Sequence, residues 1–171
     1  MSNKRTFYGK YRGLVIDNVD PLQTGRLMVQ VPDVSNVLPS TWATPCLPFA
    51  GIQSGLFVVP AIGSTVWVEF EQGNPDYPVW VGCFWPTAAE VPALALAAPP
   101  DVQQVVIQTP LQNTLMVSDV PGPTGGIMLK TTTGALISIS ETGIIIDNGQ
   151  GAIIALTGPV VTINEGALQV I

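Results

Sequence analysis

Histidine is absent from the 171 residues, and only 11% of them are charged, against about 25% in ordinary soluble domains. Without an imidazole, a serine or cysteine triad of the usual kind and general acid-base catalysis by histidine are excluded. Cys46 and Cys83 are the two cysteines; with no CxxC spacing and no histidine they build no metal site, and the expectation is a pair of small buried residues rather than a disulfide. No aromatic residue follows Trp85, and after that point Lys130 is the sole base. The second half therefore lacks both the stacking platforms and the clustered cations that nucleic acid or anionic lipid requires. Despite a positive mean hydropathy, no run of about 18 consecutive apolar residues occurs, so no membrane-spanning helix is expected. The N-terminal Met1–Thr6 segment leads into polar and aromatic residues, which predicts synthesis in the cytoplasm without a signal peptide.

What is present falls into two styles. Segments such as Leu14-Val15-Ile16, Arg26 to Val31, Ser64 to Phe70 and Val79-Trp80-Val81 are β-branched and aromatic. They are punctuated by Asp20-Pro21, Gly51, Gly55, Pro60, Gly63 and Gly73-Asn74-Pro75-Asp76. Short strands with such turns predict a small all-β barrel over residues 1–88. Residues 89–104 are rich in alanine and proline and predict an extended connector, with a short helix over Ala93 to Ala97 as the lesser alternative.

Residues 105–171 carry a repeat. Glycine recurs at Gly126, Gly134, Gly143, Gly151, Gly158 and Gly166, in steps of 8, 9, 8, 7 and 8. Three residues after successive glycines stand Leu129, Ile137, Ile146, Ile154 and Val161, all aliphatic; the next position is polar or small. A strand of five or six residues fits between glycine corners, with one face buried. The expected core of this region is Leu129, Ile137, Ile139, Ile146, Ile154, Leu156, Val161 and Ile163. Met128, Leu136, Ile145 and Ile153 are apolar too and have no place in simple alternation. Strands this narrow, without aromatics, shelter little area in one chain. Three copies about one axis would shelter them, which predicts a homotrimer.

Other chemistry fares poorly. Glu69 and Glu71 alternate along one strand, but acids on a strand face are ordinarily solvated. Gly122 to Gly126 lacks the Lys-Ser or Lys-Thr of a phosphate loop. Trp67 and Phe70 lie on opposite parities of one strand, so at least one is core. Lys4, Arg5, Lys10 and Arg12 form a basic cluster, read first as a solvated tail and second as a candidate hub interface. Arg26, after Gly25, is expected to anchor the Asp20-Pro21 turn.

The ordered series Gly13-x-Val15, Asp20-Pro21 with Gly25-Arg26-Leu27, Val29-x-Val31-Pro32, Trp42, Ala50-Gly51, Pro60 with Gly63, Val66-x-Val68-x-Phe70 and Gly73-Asn74-Pro75-Asp76-x-Pro78 resembles the oligonucleotide/oligosaccharide-binding-fold (OB-fold) domain of phage baseplate spike proteins (baseplate assembly protein V) and of valine-glycine-repeat spike proteins. The stretch Leu115-x-Val117-Ser118-Asp119, Pro121-Gly122 and Gly126-Ile127-x-Leu129-Lys130-Thr131 is similar to the spike of the same family. The resemblance implies an all-β chain: an OB-fold barrel, then an intertwined triple-stranded β-helix or prism formed as a homotrimer. It implies a non-enzymatic, cofactor-free central spike in the baseplate of a virion tail or injection particle, with a hub protein above and transient contact with a target-cell envelope. No nucleic-acid partner follows from it. The absent histidine excludes the apical His-x-His iron site some members carry. A blunt apolar end at Leu168, Gln169, Val170 and Ile171 predicts a PAAR-type tip protein. A trimeric, carbohydrate-binding adhesin or tail fibre is the alternative.

Overall fold

Among the described residues most of the glycine-punctuated apolar segments form strands, Leu56 to Ile62 between Gly55 and Gly63 being an exception, and helix is confined to a few turns. The computed structural model describes residues 5–170. The chain divides into two units, Met1–Ala88 and Ala89–Ile171.

The first unit is built from β1 (Tyr11–Asp17), β2 (Leu27–Gln30), a one-turn helix α1 (Pro32–Ser35), β3 (Pro39–Pro45), a small hairpin β4 (Ala50–Gly51) and β5 (Ser54–Gly55), β6 (Thr65–Phe70) and β7 (Pro78–Cys83). The barrel closes in the order β1-β2-β3-β7-β6, which is the five-stranded OB-fold arrangement. All pairings are antiparallel except β3 with β7, where Thr44 faces Val79 and Pro45 faces Trp80. Alternation decides the interior: in β6, Val66, Val68 and Phe70 are buried while Thr65, Trp67 and Glu69 point outward. They join Val15, Leu27, Val29, Val31, Ala43 and Trp80 in one core. Register shifts in β1, β2 and β6 supply the local bends that close so small a barrel.

Phe70 is therefore the core member of the Trp67/Phe70 pair, and Glu71 leaves the strand altogether. β6 ends at Phe70 in a tight turn with Gln72 at φ +52°, so Glu69 and Glu71 do not share a strand face. Cys46 and Cys83 are free and exposed, contrary to the expected burial, because each follows the last inward-facing residue of its strand.

The second unit begins with a helix. α2 (Ala93–Ala97) starts after Pro92, which has no amide to leave unbonded, and the Gln104 side-chain amide donates to the Ala95 carbonyl at 2.6 Å. That contact holds a helix where an extended connector was expected. Eight strands follow: β8 (Gln104–Gln108), β9 (Thr114–Ser118), β10 (Gly126–Lys130), β11 (Leu136–Ser140), β12 (Gly143–Asp147), β13 (Ile153–Thr157), β14 (Val160–Ile163) and β15 (Leu168–Val170). Each pairs antiparallel with the next, a single meander with β8 and β15 at its edges. Among the described residues no helix is long and apolar enough to cross a membrane.

An apolar sheet face as the candidate assembly site

Register turns the eight-residue period into geometry. Val105 faces Val117, Val117 faces Ile127, Ile127 faces Ile139, Ile139 faces Ile144, Ile144 faces Leu156, and Leu156 faces Val161. A second row runs beside it through Ile107, Leu115, Leu129, Ile137, Ile146, Ile154, Ile163 and Leu168. Side chains directly opposite in antiparallel strands share a face. One face of the meander is thus two unbroken rows of branched aliphatics with no polar residue in either.

All eight predicted core residues, Leu129, Ile137, Ile139, Ile146, Ile154, Leu156, Val161 and Ile163, stand in these rows. The period missed Val105, Ile107, Leu115, Val117, Ile127 and Ile144, because β8 and β9 precede the glycine series and Ile127 and Ile144 directly follow a glycine. Met128 and Ile145 lie in the central row of the other face, beside Met116, Ser138, Ala155 and Thr162. Leu136 and Ile153 flank that row.

Burial within the single chain is inverted from an ordinary half-buried sheet. In β9, Thr114, Met116 and Ser118 are buried while Leu115 and Val117 are exposed; β8, β11 and β13 repeat the inversion. Helix α2 and the turn at Gly122–Thr124 cover the mixed face over β8–β11, where a hollow of about 370 Å³ is lined by Leu94, Met116, Pro123, Met128 and Ser138; beyond them Ile145 on the same face is 40% exposed. The aliphatic rows have no cover: among their exposed members relative exposure runs from 37% at Leu156 to 62% at Ile107. A shallow concavity of about 550 Å³ opens on this side, lined by Ile107, Leu115, Leu129, Ile137 and Ile146.

The corners hold the strands to this pattern. Gly126, Gly134, Gly143, Gly151 and Gly158 all have positive φ. At Gly126 and Gly143 a side chain would also force the backbone to shift, since a Cβ would overlap the carbonyl oxygens of Ile139 and Leu156 respectively. At the last corner, Asn164 and Glu165 take the left-handed conformation, and Gly166 closes their turn. Side chains brace neighbouring turns: Asn113 Oδ1 accepts from Thr132 N at 3.2 Å, Asn164 Oδ1 from Ile153 N at 3.0 Å, and Glu141 Oε2 from Gly122 N at 2.8 Å.

In the barrel, Asp20 is 8% exposed and saturated. It accepts from Leu22 N, Thr24 N, Thr24 Oγ1 and Arg26 N, and its Oδ1 takes Arg26 Nη2 at 2.6 Å and Nε at 3.0 Å. The Arg26 guanidinium first, and the backbone amides after it, hold this carboxyl far below the usual carboxylate range in spite of its burial. Arg26 is the anchor of the Asp20-Pro21 turn. The basic cluster is tied down rather than tail-like where it is described: Lys10 Nζ meets Glu69 Oε1 at 2.7 Å, Arg12 stacks over Trp67 and Phe84, and Arg5 lies over Phe7. Lys4, at one end of the cluster, and Ile171, at the other end of the chain, lie outside the described residues, as do the side chains of Gln169 and Val170. Leu168 is exposed on the edge strand β15. Among the described residues no cluster of three or more potential metal-binding side chains occurs.

Comparison with known families matches both units. Residues 11–85 match the type VI secretion system/phage-baseplate injector OB domain, and residues 104–169 match the phage baseplate V C-terminal trimerisation domain. No match was found among curated proteins. Both families are structural components of baseplates. A closed barrel under the first model and a sheet with one bare aliphatic face under the second agree with what those domains are, and the chain belongs to the phage baseplate V family of baseplate spike proteins.

Proposed function

We infer that this chain is the central, membrane-piercing spike of a contractile tail or injection-system baseplate, in which three copies pack their aliphatic faces together into a β-prism. The observation that carries the reading is the pair of uninterrupted aliphatic rows, polar residues being excluded from the one face that the single chain leaves bare. Covering such rows removes apolar area from water at about 25 cal/mol per Å², and the charge-poor exterior suits passage along an envelope.

Within each chain the ladder hydrogen bonds join consecutive strands, which short turns connect. Eight strands at about 4.8 Å spacing place these bonds along the length of the sheet, so axial compression loads them in series. Three such sheets back to back resist buckling because bending any one would open the aliphatic contact with the other two. The barrel joins a hub protein, with Lys4, Arg5, Lys10 and Arg12 as the candidate contact. A tip protein of PAAR type docks at Leu168, Gln169, Val170 and Ile171, where the edge strand β15 leaves backbone groups to pair.

The test is mass and resistance to dissociation. Native mass measurement of the purified chain gives three copies, and an unheated SDS gel retains them. A monomer at micromolar concentration would end the spike reading. The adhesin alternative requires a sugar-binding platform, and glycan-array binding by the intact trimer would favour it instead.

A further inference from the structure

The β4–β5 hairpin of the barrel is the feature the spike reading leaves unexplained. Its strands pair Ala50 with Gly55 and Gly51 with Ser54, so the turn consists of Ile52 and Gln53. Two-residue hairpin turns favour Asn, Asp and Gly. Here the first position is an isoleucine that is 98% exposed, and the second is a glutamine at φ +51°. Both choices cost stability in an isolated barrel. The flanks are no more soluble: Phe49, Phe57 and Val58 are each more than half exposed, and no charged residue occurs between Asp33 and Glu69. Beside the hairpin lies a hollow of about 520 Å³, lined by Thr24, Leu47, Ala50, Leu56 and Phe57. An isoleucine side chain fits within it.

We propose that this hairpin is the contact between sister barrels, the Ile52 tip of one copy seated in the hollow beside the hairpin of the next. Every chain carries both a knob and a hole, so in a head-to-tail arrangement each copy offers one and receives one, and three close the cycle. A charge-free surface suits a contact between identical copies, where no oppositely charged partner is at hand. The trimerisation domain lies next in the chain, so three barrels are tethered at an effective concentration of order millimolar. At that concentration a contact of one side chain and its surround is populated without being strong. The proposal rests on the trimer, not on its piercing role.

Native Cys46 adjoins Leu47 of the hollow and is exposed, so it serves as a reporter. Full-length protein carrying I52C in a C83S background, which removes the other exposed thiol, is treated with a short bis-maleimide, boiled and run in SDS. Covalent dimer and trimer should replace most of the monomer, should be absent from C83S alone, and should vanish in I52C/C46S/C83S. Native mass is measured on the same samples. A trimer that yields only monomer after cross-linking overturns the hairpin contact and leaves the trimer standing, whereas a monomeric mass removes both. Hydrogen exchange of the unsubstituted trimer supplies a second reading. Slow exchange over residues 49–57 supports the contact; fast exchange that slows only when a purified hub protein is added overturns it and assigns the hairpin to the hub.

Discussion

Replacing Ile146 with aspartate puts a carboxylate in the middle of the aliphatic rows, between its register partners Ile137 and Ile154. Ile146 is 44% exposed in the single chain. Burying a whole isoleucine side chain is worth about 1.5–3 kcal/mol, so covering the remaining share yields about 0.7–1.3 kcal/mol per chain. The carboxylate forfeits that and adds its own desolvation. A rise of three units in its pKa, modest for a buried acid, costs about 4 kcal/mol at neutral pH. The loss is thus about 5 kcal/mol per chain and roughly 15 kcal/mol per trimer. Ile146→Val should cost about 0.5–1.5 kcal/mol per chain. Thr162→Asp, on the opposite face, should cost no more than about 0.5 kcal/mol. Native mass across a dilution series, with unheated SDS gels over a temperature ramp, ranks the four proteins. Ile146→Asp should be monomeric or aggregated at pH 7. It should regain trimer progressively as the pH falls from the raised pKa of its new acid toward the ordinary aspartate value of about 3.9, below which the ionisation penalty is gone. An Ile146→Asp trimer as resistant as the parent, or a Thr162→Asp trimer equally damaged, would refute the assignment of faces.

Two further predictions concern the scaffold. Gly143→Ala forces a Cβ onto the Leu156 carbonyl at a left-handed φ; it should cost about 1–3 kcal/mol per chain and lower the trimer's melting temperature in calorimetry, with the barrel transition unmoved. Asp20 is held ionised far below the ordinary carboxylate value of 3.8, so its stabilisation is complete above that value and is lost as acid approaches the depressed one. Barrel melting followed by the fluorescence of buried Trp80 should therefore be level from neutral pH to about 5 and fall below about 4, while Asp20→Asn should melt lower at neutral pH and show a shallower acid slope. An unchanged slope would mean that other carboxylates govern the acid response.

The spike half was legible because a strand and its turn repeat at a nearly constant length, and glycine marks each corner. Three residues past successive glycines stand Leu129, Ile137, Ile146, Ile154 and Val161, and all five fall in the aliphatic rows. The function of the second apolar set was not legible. Met128, Leu136, Ile145 and Ile153 lie on the other face, and that α2 and the Gly122–Thr124 turn shelter part of that face is a tertiary fact. The same fact hid α2: a helix of five residues has little tendency to form alone, and Gln104 is the residue that holds it. In the barrel, the left-handed Gln72 ends β6 one residue before a strand pattern would stop, which separates Glu69 from Glu71. The hairpin tip was passed over because Gly51 and Gly55 mark a turn whatever stands between them. Only the exposure of Ile52 distinguishes it.

The division of labour between backbone and side chains has a consequence for how the spike comes into being. Within one chain the meander satisfies its ladder hydrogen bonds between neighbouring strands, so the sheet's pairing needs no partner. Its aliphatic rows have no second layer, and a sheet without one does not hold itself together in water. The single chain exposes 11636 Å², whereas two compact domains sharing its mass equally would expose roughly 9,700 Å². The excess of roughly 1,900 Å² is close to what two interfaces of about 800 Å² per partner would hide. In a threefold assembly each chain has two neighbours. Chain connectivity therefore fixes which strands pair, while protein concentration decides whether the paired sheet persists, because only covered rows hold it together. The barrel, with its own core, folds at any dilution; the spike sheet becomes stable only as three copies meet, and its unfolding must carry the concentration dependence of a three-body equilibrium.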